Sequence, residues 1–262
     1  MTRPERQRLR ETFGEDAALY DRSRPTYPAK LFDQLAASGP ARVLEIGCGT
    51  GQATLPLAQR GCTMVGVELS PDMAALARRR LNGFPDAQIV VSAFEDWPLP
   101  HEGFDLVVSA TAFHWLDPRV RMIKAADALR PGGILALIST HHVAGGTEPF
   151  FDDVQRCYER FMPGTPPALR LPGSADVPED PTEFEESGRF GPVSFRRYEW
   201  ERTYTTREYQ DLLLTYSGHR ALPDFRRRDL LACIGDLIER RYDGRVTKRY
   251  LNQLATARRA SR

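Results

Sequence analysis

Short apolar runs alternate with amphipathic stretches over residues 43–139. Each apolar run is rich in β-branched residues and is bounded by turn residues, which is typical of strands buried inside a sheet. The predicted strands are 43–46, 64–67, 89–91, 106–108 and 134–138. The predicted helices between them are 52–60, 71–82 and 119–129. Repeated strand–helix units predict an α/β fold, in which helices cover both faces of a mostly parallel sheet.

The rest of the chain is less regular. Residues 1–40 are predicted to be helical, with 28–37 as the clearer helix. Many prolines and glycines over residues 141–191 predict an insertion that covers a substrate. The other predicted elements are a strand at 193–205 and helices at 150–161, 208–216 and 224–242. Periodicity leaves residues 246–257 open between strand and helix.

The most informative motif follows the first predicted strand, where residues 43–51 read Val-Leu-Glu-Ile-Gly-Cys-Gly-Thr-Gly. Glycines at alternate positions let the backbone turn sharply and lie against a ligand. The order is not the dinucleotide fingerprint, because Gln52 stands where the third glycine of that motif would be, and no phosphate-loop lysine follows. The acid Glu45 before the loop suits a cationic ligand and would hinder a pyrophosphate. The alternative is a glycine-rich turn without a ligand.

Composition and charge narrow the classes of function. The 262 residues are 41% hydrophobic and 27% charged, which is typical of one globular domain. The net charge of +1 gives no electrostatic field that would attract nucleic acid or a membrane, so we expect neither as a partner. We expect the protein to be a monomer or a homodimer. No signal peptide or membrane-spanning stretch is expected.

The cysteines predict a reducing compartment. Cys48, Cys62, Cys157 and Cys233 show no paired spacing. We therefore expect reduced thiols in a cytoplasmic protein, without a disulfide framework or a metal site.

Several segments of residues 43–139 together resemble class I S-adenosylmethionine-dependent methyltransferases. Residues 43–51 resemble the first motif of that family, and residues 66–70 resemble the second, in which an acid, here Glu68, accepts hydrogen bonds from both ribose hydroxyls. Residues 92–95 resemble the segment at the adenine edge, although Ala93 stands where relatives often have an acid. Residues 104–110 and 129–133 resemble the fourth-strand motif and the turn before the fifth strand.

This resemblance implies a Rossmann-like sheet of seven mostly parallel strands, with S-adenosylmethionine as cofactor and S-adenosylhomocysteine as product. The implied cofactor-binding residues are Arg24, Glu45, Gly47, Cys48, Gly49, Gly51, Glu68, Leu69, Met73, Ala93, Phe94 and Ser109. Two of these have alternatives. Met73 could serve only helix packing, and Arg24 could pair with an acidic substrate or lie free on the surface.

A narrower resemblance covers nearly the whole chain. Residues 20–28 and Phe113-His114-Trp115 are similar to motifs of the type 11 methyltransferase-domain family, in the small-molecule subgroup of the trans-aconitate type. This similarity favours a strand at 246–257. It implies a single methyltransferase domain in four parts: an N-terminal helical lid at 1–40, a cofactor-binding core at 43–139, a cap after strand five at 141–191 and a C-terminal part at 192–262. The implied substrate-binding residues are Tyr20, Tyr27, Phe113 and His219.

His114 is the best candidate for a catalytic base. It follows the fourth strand, where the acceptor should approach, and an ordinary imidazole accepts a proton near neutral pH. The alternative is a histidine that shapes the pocket, and His219 is a second candidate. His141 and His142 would point to opposite faces of a strand and are not interpreted as a metal pair.

The sequence therefore predicts transfer of a methyl group from S-adenosylmethionine to an oxygen of a small molecule, either a carboxylate or a hydroxyl. Residues 109–113 lack the Asp/Asn-Pro-Pro-aromatic motif that methylases of amide and ring nitrogens carry. Two alternatives stay open: a methyltransferase acting on protein or RNA, and a non-catalytic protein that binds the cofactor.

Overall fold

The computed structural model describes residues 16–37, 39, 41–167 and 169–260. Within them, the strands are β1 (Arg42–Ile46), β2 (Thr63–Glu68), β3 (Ala87–Val91), β4 (Phe104–Ala110), β5 (Leu129–Val143), β6 (Ser194–Thr205) and β7 (Arg245–Arg258). The first helices are α1 (Ala17–Ser23), α2 (Ala29–Leu35), α3 (Thr54–Ala58), α4 (Pro71–Arg80) and α5 (Arg121–Ala128). The later helices are α6 (Glu148–Asp153), α7 (Gln155–Phe161), α8 (Thr182–Glu186), α9 (Thr206–Leu213), α10 (Ser217–Arg220) and α11 (Asp224–Arg241). Short 3₁₀ turns lie at Phe113–Trp115 and Ser174–Asp176.

The strands form one seven-stranded sheet in the order β3-β2-β1-β4-β5-β7-β6. The pairs among β1 to β5 are parallel, and β7 lies antiparallel between β5 and β6. The predicted α/β class and seven-stranded, mostly parallel sheet are confirmed. Residues 246–257, which periodicity left open, lie in a strand.

Apolar clusters cover both faces of the parallel part of the sheet. On one face, side chains of α2, α3 and α4 pack on β1 and β2, with Phe32, Leu57 and Met64 fully buried. On the other face, α5 packs through Met122 and its alanines. The carboxyl ends of β1, β2 and β4 are thereby held in register at one edge of the sheet, where ligands bind in open α/β sheets.

A third cluster lies over the far ends of β6 and β7. Phe150 of α6, Leu212 of α9 and Ile234 of α11 pack there against Tyr204 and Tyr250. This cluster gives the C-terminal part of the chain its own apolar interior, attached to the same sheet.

The thiol prediction is wrong for two of the cysteines. Cys157 in α7 and Cys233 in α11 form a disulfide, whereas Cys48 and Cys62 are free and buried. The two paired residues are 76 positions apart, and only the packing of α7 on α11 brings them together. The argument from reduced thiols for a cytoplasmic protein therefore no longer holds.

Three predicted elements differ in detail. The helix predicted at 150–161 is divided at Val154, because the Cys157 N–H bonds to the Val154 carbonyl in a tighter, three-residue turn. The turn predicted at residues 130–133 is an irregularity inside a longer β5, where Gly132 has φ +74°. The helix predicted at 208–216 begins earlier, because Thr205 and Glu208 form a capping box.

The helical prediction for residues 1–40 lies partly outside the described residues, because positions 1–15, 38 and 40 are among those not described. None of the described helices is long and apolar enough to span a bilayer.

The disulfide generates a test of the C-terminal cluster. A Cys157→Ser/Cys233→Ser variant should lose about 2–4 kcal/mol of unfolding free energy, because the crosslink restricts the unfolded chain. Urea unfolding measures the loss, with Cys62→Ser as the matched control. In the unfolded, unreduced protein, only two of the four cysteines should react with a thiol reagent. Titration of all four would contradict the pairing.

Candidate functional site

Glu68, at the end of β2, organises the glycine loop that follows β1. Its Oε2 accepts the Gly49 N–H at 2.9 Å, and its Oε1 accepts the Ser70 N–H at 2.8 Å. Ser70 in turn caps α4, since its Oγ accepts the Met73 N–H. One carboxylate therefore fixes both the loop and the start of the next helix.

Position 47 requires glycine for two reasons, its backbone conformation and the atoms around it. Its φ is +69°, and a Cβ built on it would lie 2.6 Å from the Cβ of Ala112. The loop after β1 thus lies directly against the residues that follow β4. No residue with a side chain fits at position 47 without displacing one of the two segments.

The glycine loop and Glu68 border a cavity of about 380 Å³. We call it the first cavity, and define it by Gly47, Gly49, Glu68, Met73, Phe94 and His114. Glu68 is the one acid among its described lining residues. An acid at one end and apolar side chains along the wall suit a ligand with vicinal hydroxyls and a flat ring.

The first cavity gathers many of the predicted site residues. Those on its wall are Tyr20, Arg24, Gly47, Gly49, Glu68, Leu69, Met73, Phe94 and His114. Those not on its wall are Tyr27, Glu45, Cys48, Gly51, Ala93, Ser109, Phe113 and His219. At the adenine-edge segment, the flanking Ser92 and Phe94 line the cavity instead of Ala93. Met73 reaches the cavity wall and is also buried in the helix packing.

Glu45 lies beneath the glycine loop instead of facing the cavity. It is fully buried, and Thr54 Oγ1 donates to its Oε2 at 2.6 Å. Burial raises the pKa of Glu45 to about 8, against the lowering effect of the Thr54 hydrogen bond. At neutral pH the side chain is therefore mainly protonated, and the cationic-ligand argument for Glu45 does not hold for the ligand-free protein.

Other predicted residues support the site from behind. The Ser109 hydroxyl donates to the Ile46 carbonyl at 2.9 Å and so joins the ends of β4 and β1. Cys48 is buried next to Gly66, where a Cβ on the glycine would meet the sulfur at 2.8 Å. Phe113 is buried, and its carbonyl accepts from Arg121.

Residues 16–28, the described part of the N-terminal segment before α2, are attached to the core by an ion pair and a hydrogen bond. Asp21 pairs with Arg80 of α4 at 2.6 Å, and Gln52 donates to the Asp21 carbonyl. These contacts hold Arg24 over the cavity, where its guanidinium lies between the rings of Tyr20 and Tyr216. Its terminal nitrogen donates to the Thr215 carbonyl at 3.1 Å.

His114 stands at the mouth of the first cavity, exposed and next to Trp115. Partial desolvation lowers the pKa of His114 from its ordinary value, and the nearby cations Arg121 and Arg24 lower it further. The imidazole is therefore neutral at neutral pH and can accept a proton. The second candidate, His219, is buried and contacts the Tyr158 hydroxyl at 3.2 Å, and burial lowers its pKa to about 4.

A second cavity of about 300 Å³ adjoins the first. We define it by Phe151, Tyr158, Tyr209, Tyr216, Lys248 and Tyr250. The two cavities share four lining residues: Arg24, Thr111, Thr140 and Tyr216. A ligand in one cavity therefore lies next to a ligand in the other.

Thr111 stands at this shared wall in a strained conformation. Its φ is +55°, which is uncommon for a residue with a Cβ and tends to occur at functional sites. Its hydroxyl lies 3.2 Å from both the Tyr27 and the Thr140 hydroxyls. Asn252 donates to Thr140 and extends the network into β7. Tyr27, a predicted substrate-binding residue, therefore positions Thr111 and does not line either cavity.

Sequence reasoning did not assign Tyr209, Lys248 or Tyr250 to a cavity, nor the shared Thr111 and Thr140. Thr111 follows β4 and Thr140 lies within β5, whereas Lys248 stands in a stretch that periodicity left open between strand and helix. One signal was available for Lys248. If residues 246–257 form a strand, the side chain of Lys248 lies on the same face as those of Val246 and Tyr250. Among the described residues, no group of three or more His, Cys, Asp or Glu side chains could hold a metal ion.

Comparison with known proteins agrees with this geometry. Residues 44–137 match the family model of the methyltransferase domain. A solved structure described as a type II methyltransferase from Anaeromyxobacter dehalogenans superposes with a TM-score of 0.58 at 25% identity, covering 90% of this chain and 97% of that one. Residues 44–137 of this chain therefore form a methyltransferase domain.

Curated relatives match about half of this chain. An uncharacterized methyltransferase of Mycobacterium bovis is 37% identical over 127 residues, which are 48% of this chain and 51% of the relative. The trans-aconitate 2-methyltransferase of Methylobacterium nodulans is 35% identical over 130 residues, which are 47% and 48% of the two chains. The chain thus spans about half the length of these curated relatives.

The requirement for glycine at position 47 of the glycine loop can be tested by substitution. Gly47→Ala should lower the unfolding free energy by about 1–3 kcal/mol, because it adds a clash with Ala112 to an unfavourable φ. Chemical denaturation measures the change. Gly83→Ala is the matched control, since a Cβ there meets open space and φ is not positive. Equal stability of the two variants would contradict the interpretation.

Glu45 should make stability depend on pH. Its pKa rises from 4.5 to about 8 on folding, so the folded state binds an extra proton between these values and loses stability as pH rises through them. Relative to Glu45→Gln, which stays neutral and still accepts from Thr54, the wild type should lose about 1 kcal/mol per pH unit in this window. Urea unfolding across the window tests this, and a pH-independent difference would exclude the shift.

Proposed function

We propose that this protein transfers a methyl group from S-adenosylmethionine to an oxygen atom of a small-molecule acceptor. The observation that carries the proposal is the pair of adjoining cavities, which share Thr111, Thr140, Arg24 and Tyr216. A transfer between two bound molecules needs their reacting atoms side by side, and catalysis then comes mainly from proximity and orientation.

The first cavity fits the cofactor. Glu68 offers carboxylate oxygens to the ribose hydroxyls while its other lone pairs hold Gly49 and Ser70. Leu69, Met73 and Phe94 form an apolar wall for the adenine. When bound, the cofactor supplies an activated methyl group on a sulfonium. The protein must therefore orient two partners and exclude water.

Arg24 is well placed for the carboxylate of the cofactor's amino-acid part. Its Nε is buried and has no hydrogen-bond partner among the described residues, whereas its terminal nitrogen is held by the Thr215 carbonyl. A guanidinium nitrogen left without a partner is costly unless a ligand completes its bonding. We assign to the N-terminal segment the role of a lid, because it carries Arg24 over the cavity.

The second cavity is proposed to hold the acceptor. Its walls come mainly from β5, β7 and the helices α6, α7 and α9 between them, so residues 141–191 and the C-terminal part would form its cap. Aromatic side chains dominate the lining, which favours a compact, partly apolar molecule. Its volume of about 300 Å³ supports a small molecule over a folded protein or a nucleic acid.

An oxygen acceptor suits the groups at the junction. A carboxylate attacks without a base, whereas a hydroxyl needs a proton acceptor, and the neutral imidazole of His114, on the wall of the first cavity, would take that role. Thr111 and Thr140 would orient the acceptor oxygen through their hydroxyls. The relative named trans-aconitate 2-methyltransferase supports a carboxylate acceptor.

The proposal predicts the behaviour of a Glu68 variant. Wild-type protein should bind S-adenosylhomocysteine in a calorimeter, and Glu68→Ala should bind it about 100-fold more weakly, because two charge-assisted hydrogen bonds are lost. Glu199→Ala, which removes an exposed carboxylate from β6, is the matched control.

Thermal unfolding of the same samples separates binding from folding, since Glu68 also holds Gly49 and Ser70. Glu68→Gln keeps one acceptor oxygen and serves as a second variant. A well-folded wild type that binds neither S-adenosylmethionine nor S-adenosylhomocysteine would overturn the proposed function.

A further inference from the structure

Lys248 occupies an unusual position in β7. The strand alternates, and Val246, Lys248 and Tyr250 all face the third apolar cluster. Lys248 is only 3% exposed. Lysine is rarely buried to this extent without a charged partner, because desolvation penalises the ammonium ion.

Among the residues that the structure describes, no carboxylate pairs with this charge. The Lys248 ammonium donates to the Tyr216 hydroxyl at 3.4 Å, and it forms no ion pair among the described residues. Three tyrosine rings surround it instead, with centroids 5.7 Å (Tyr209), 5.6 Å (Tyr216) and 5.4 Å (Tyr250) from Nζ. Burial raises the pKa values of Tyr209 and Tyr250, so these phenols stay neutral and add no negative charge.

The other polar groups around the cavity leave it electropositive. Burial, and to a smaller extent the charge of Lys248, lowers the pKa of His142 to about 2, so the imidazole is neutral. The lining includes Lys248 and Arg24 but no described Asp or Glu. In addition, His142 Nε2 and Gln155 Oε1 are buried without a hydrogen-bond partner among the described residues. Buried polar atoms are normally paired, so these atoms indicate a polar ligand.

We infer that Lys248, within its ring of tyrosines, is the anion-recognition residue of the second cavity, and that the acceptor is a carboxylic acid. The ammonium would receive the carboxylate, the Tyr216 hydroxyl would donate to it, and Gln155 would accept from a donor elsewhere on the ligand. A carboxylate matches one ammonium in charge, and the aromatic walls match an apolar body. This inference rests on the proposed function, because it takes the second cavity as the acceptor site.

Paired acids and amides test the inference without requiring turnover. The probes are benzoate, phenylacetate and 3-phenylpropanoate, each compared with its own amide, which has nearly the same shape but no charge. Binding is measured by calorimetry on the full chain saturated with S-adenosylhomocysteine. At least one acid should bind wild type about tenfold or more tightly than its amide, and Lys248→Met should remove this preference.

Lys30→Met is the matched control, since it removes the same charge from an exposed site on α2 and should keep the preference. Lys248→Gln, which can still donate to Tyr216, serves as a second variant if the methionine variant does not fold. Arg24→Met tests the other cation of the cavity.

Each outcome decides the inference. It is overturned if no acid binds wild type, if acids and amides bind equally, or if the preference survives in the Lys248 variants, and loss of the preference in Arg24→Met alone would assign the anion to Arg24 instead. Failure of the proposed function is seen separately, because wild type would then not bind S-adenosylhomocysteine in the first titration.

Discussion

One carboxylate holds the ligand-binding edge of this sheet together. Glu68 receives the N–H groups of Gly49 and Ser70, one on each oxygen, and so closes the loop after β1 onto the end of β2. Backbone amides in such a tight loop need partners, and here a side chain provides them. Glu68 also lines the first cavity, so the group that shapes the loop faces the space next to it. The geometry of the loop and the shape of the cavity are therefore coupled through one side chain.

Two ionisable side chains, Glu45 and Lys248, are buried in the interior, and the cost of burying each is offset in a different way. Glu45 becomes mainly neutral, so a hydrogen bond from Thr54 is sufficient for it. Lys248 is surrounded by tyrosine rings, each cation–π contact contributing about 0.5–2 kcal/mol, against several kcal/mol for removing an ammonium ion from water. A buried cation that is only partly compensated lowers the stability of the folded protein. The two cavities thus differ in charge: an acid borders the first, and a lysine borders the second.

Most of what could be predicted from the sequence came from motifs whose residues lie close together along the chain. Gly47, Gly49 and Glu68 lie close together along the chain or one strand–helix unit apart, so their meeting at the sheet edge follows from the topology of parallel units. The disulfide between Cys157 and Cys233 and the wall around Lys248 depend on how α7, α9 and α11 pack on β7, which no local pattern encodes. Glu45 was correctly placed before the loop, yet its protonation state depends on complete burial, which is a property of the folded interior.

The ladder between β5 and β7 is continuous from Ile134 opposite Arg258 to Val143 opposite Arg249. The first part of β5 also pairs with β4 in the parallel part of the sheet, and its second part carries a wall of the second cavity, with His142 opposite Tyr250 of β7. The two compartments therefore share one continuous pair of strands and are not two bodies joined by a hinge. A continuous hydrogen-bonded strand pair keeps its length, so it sets a constant distance between the two compartments.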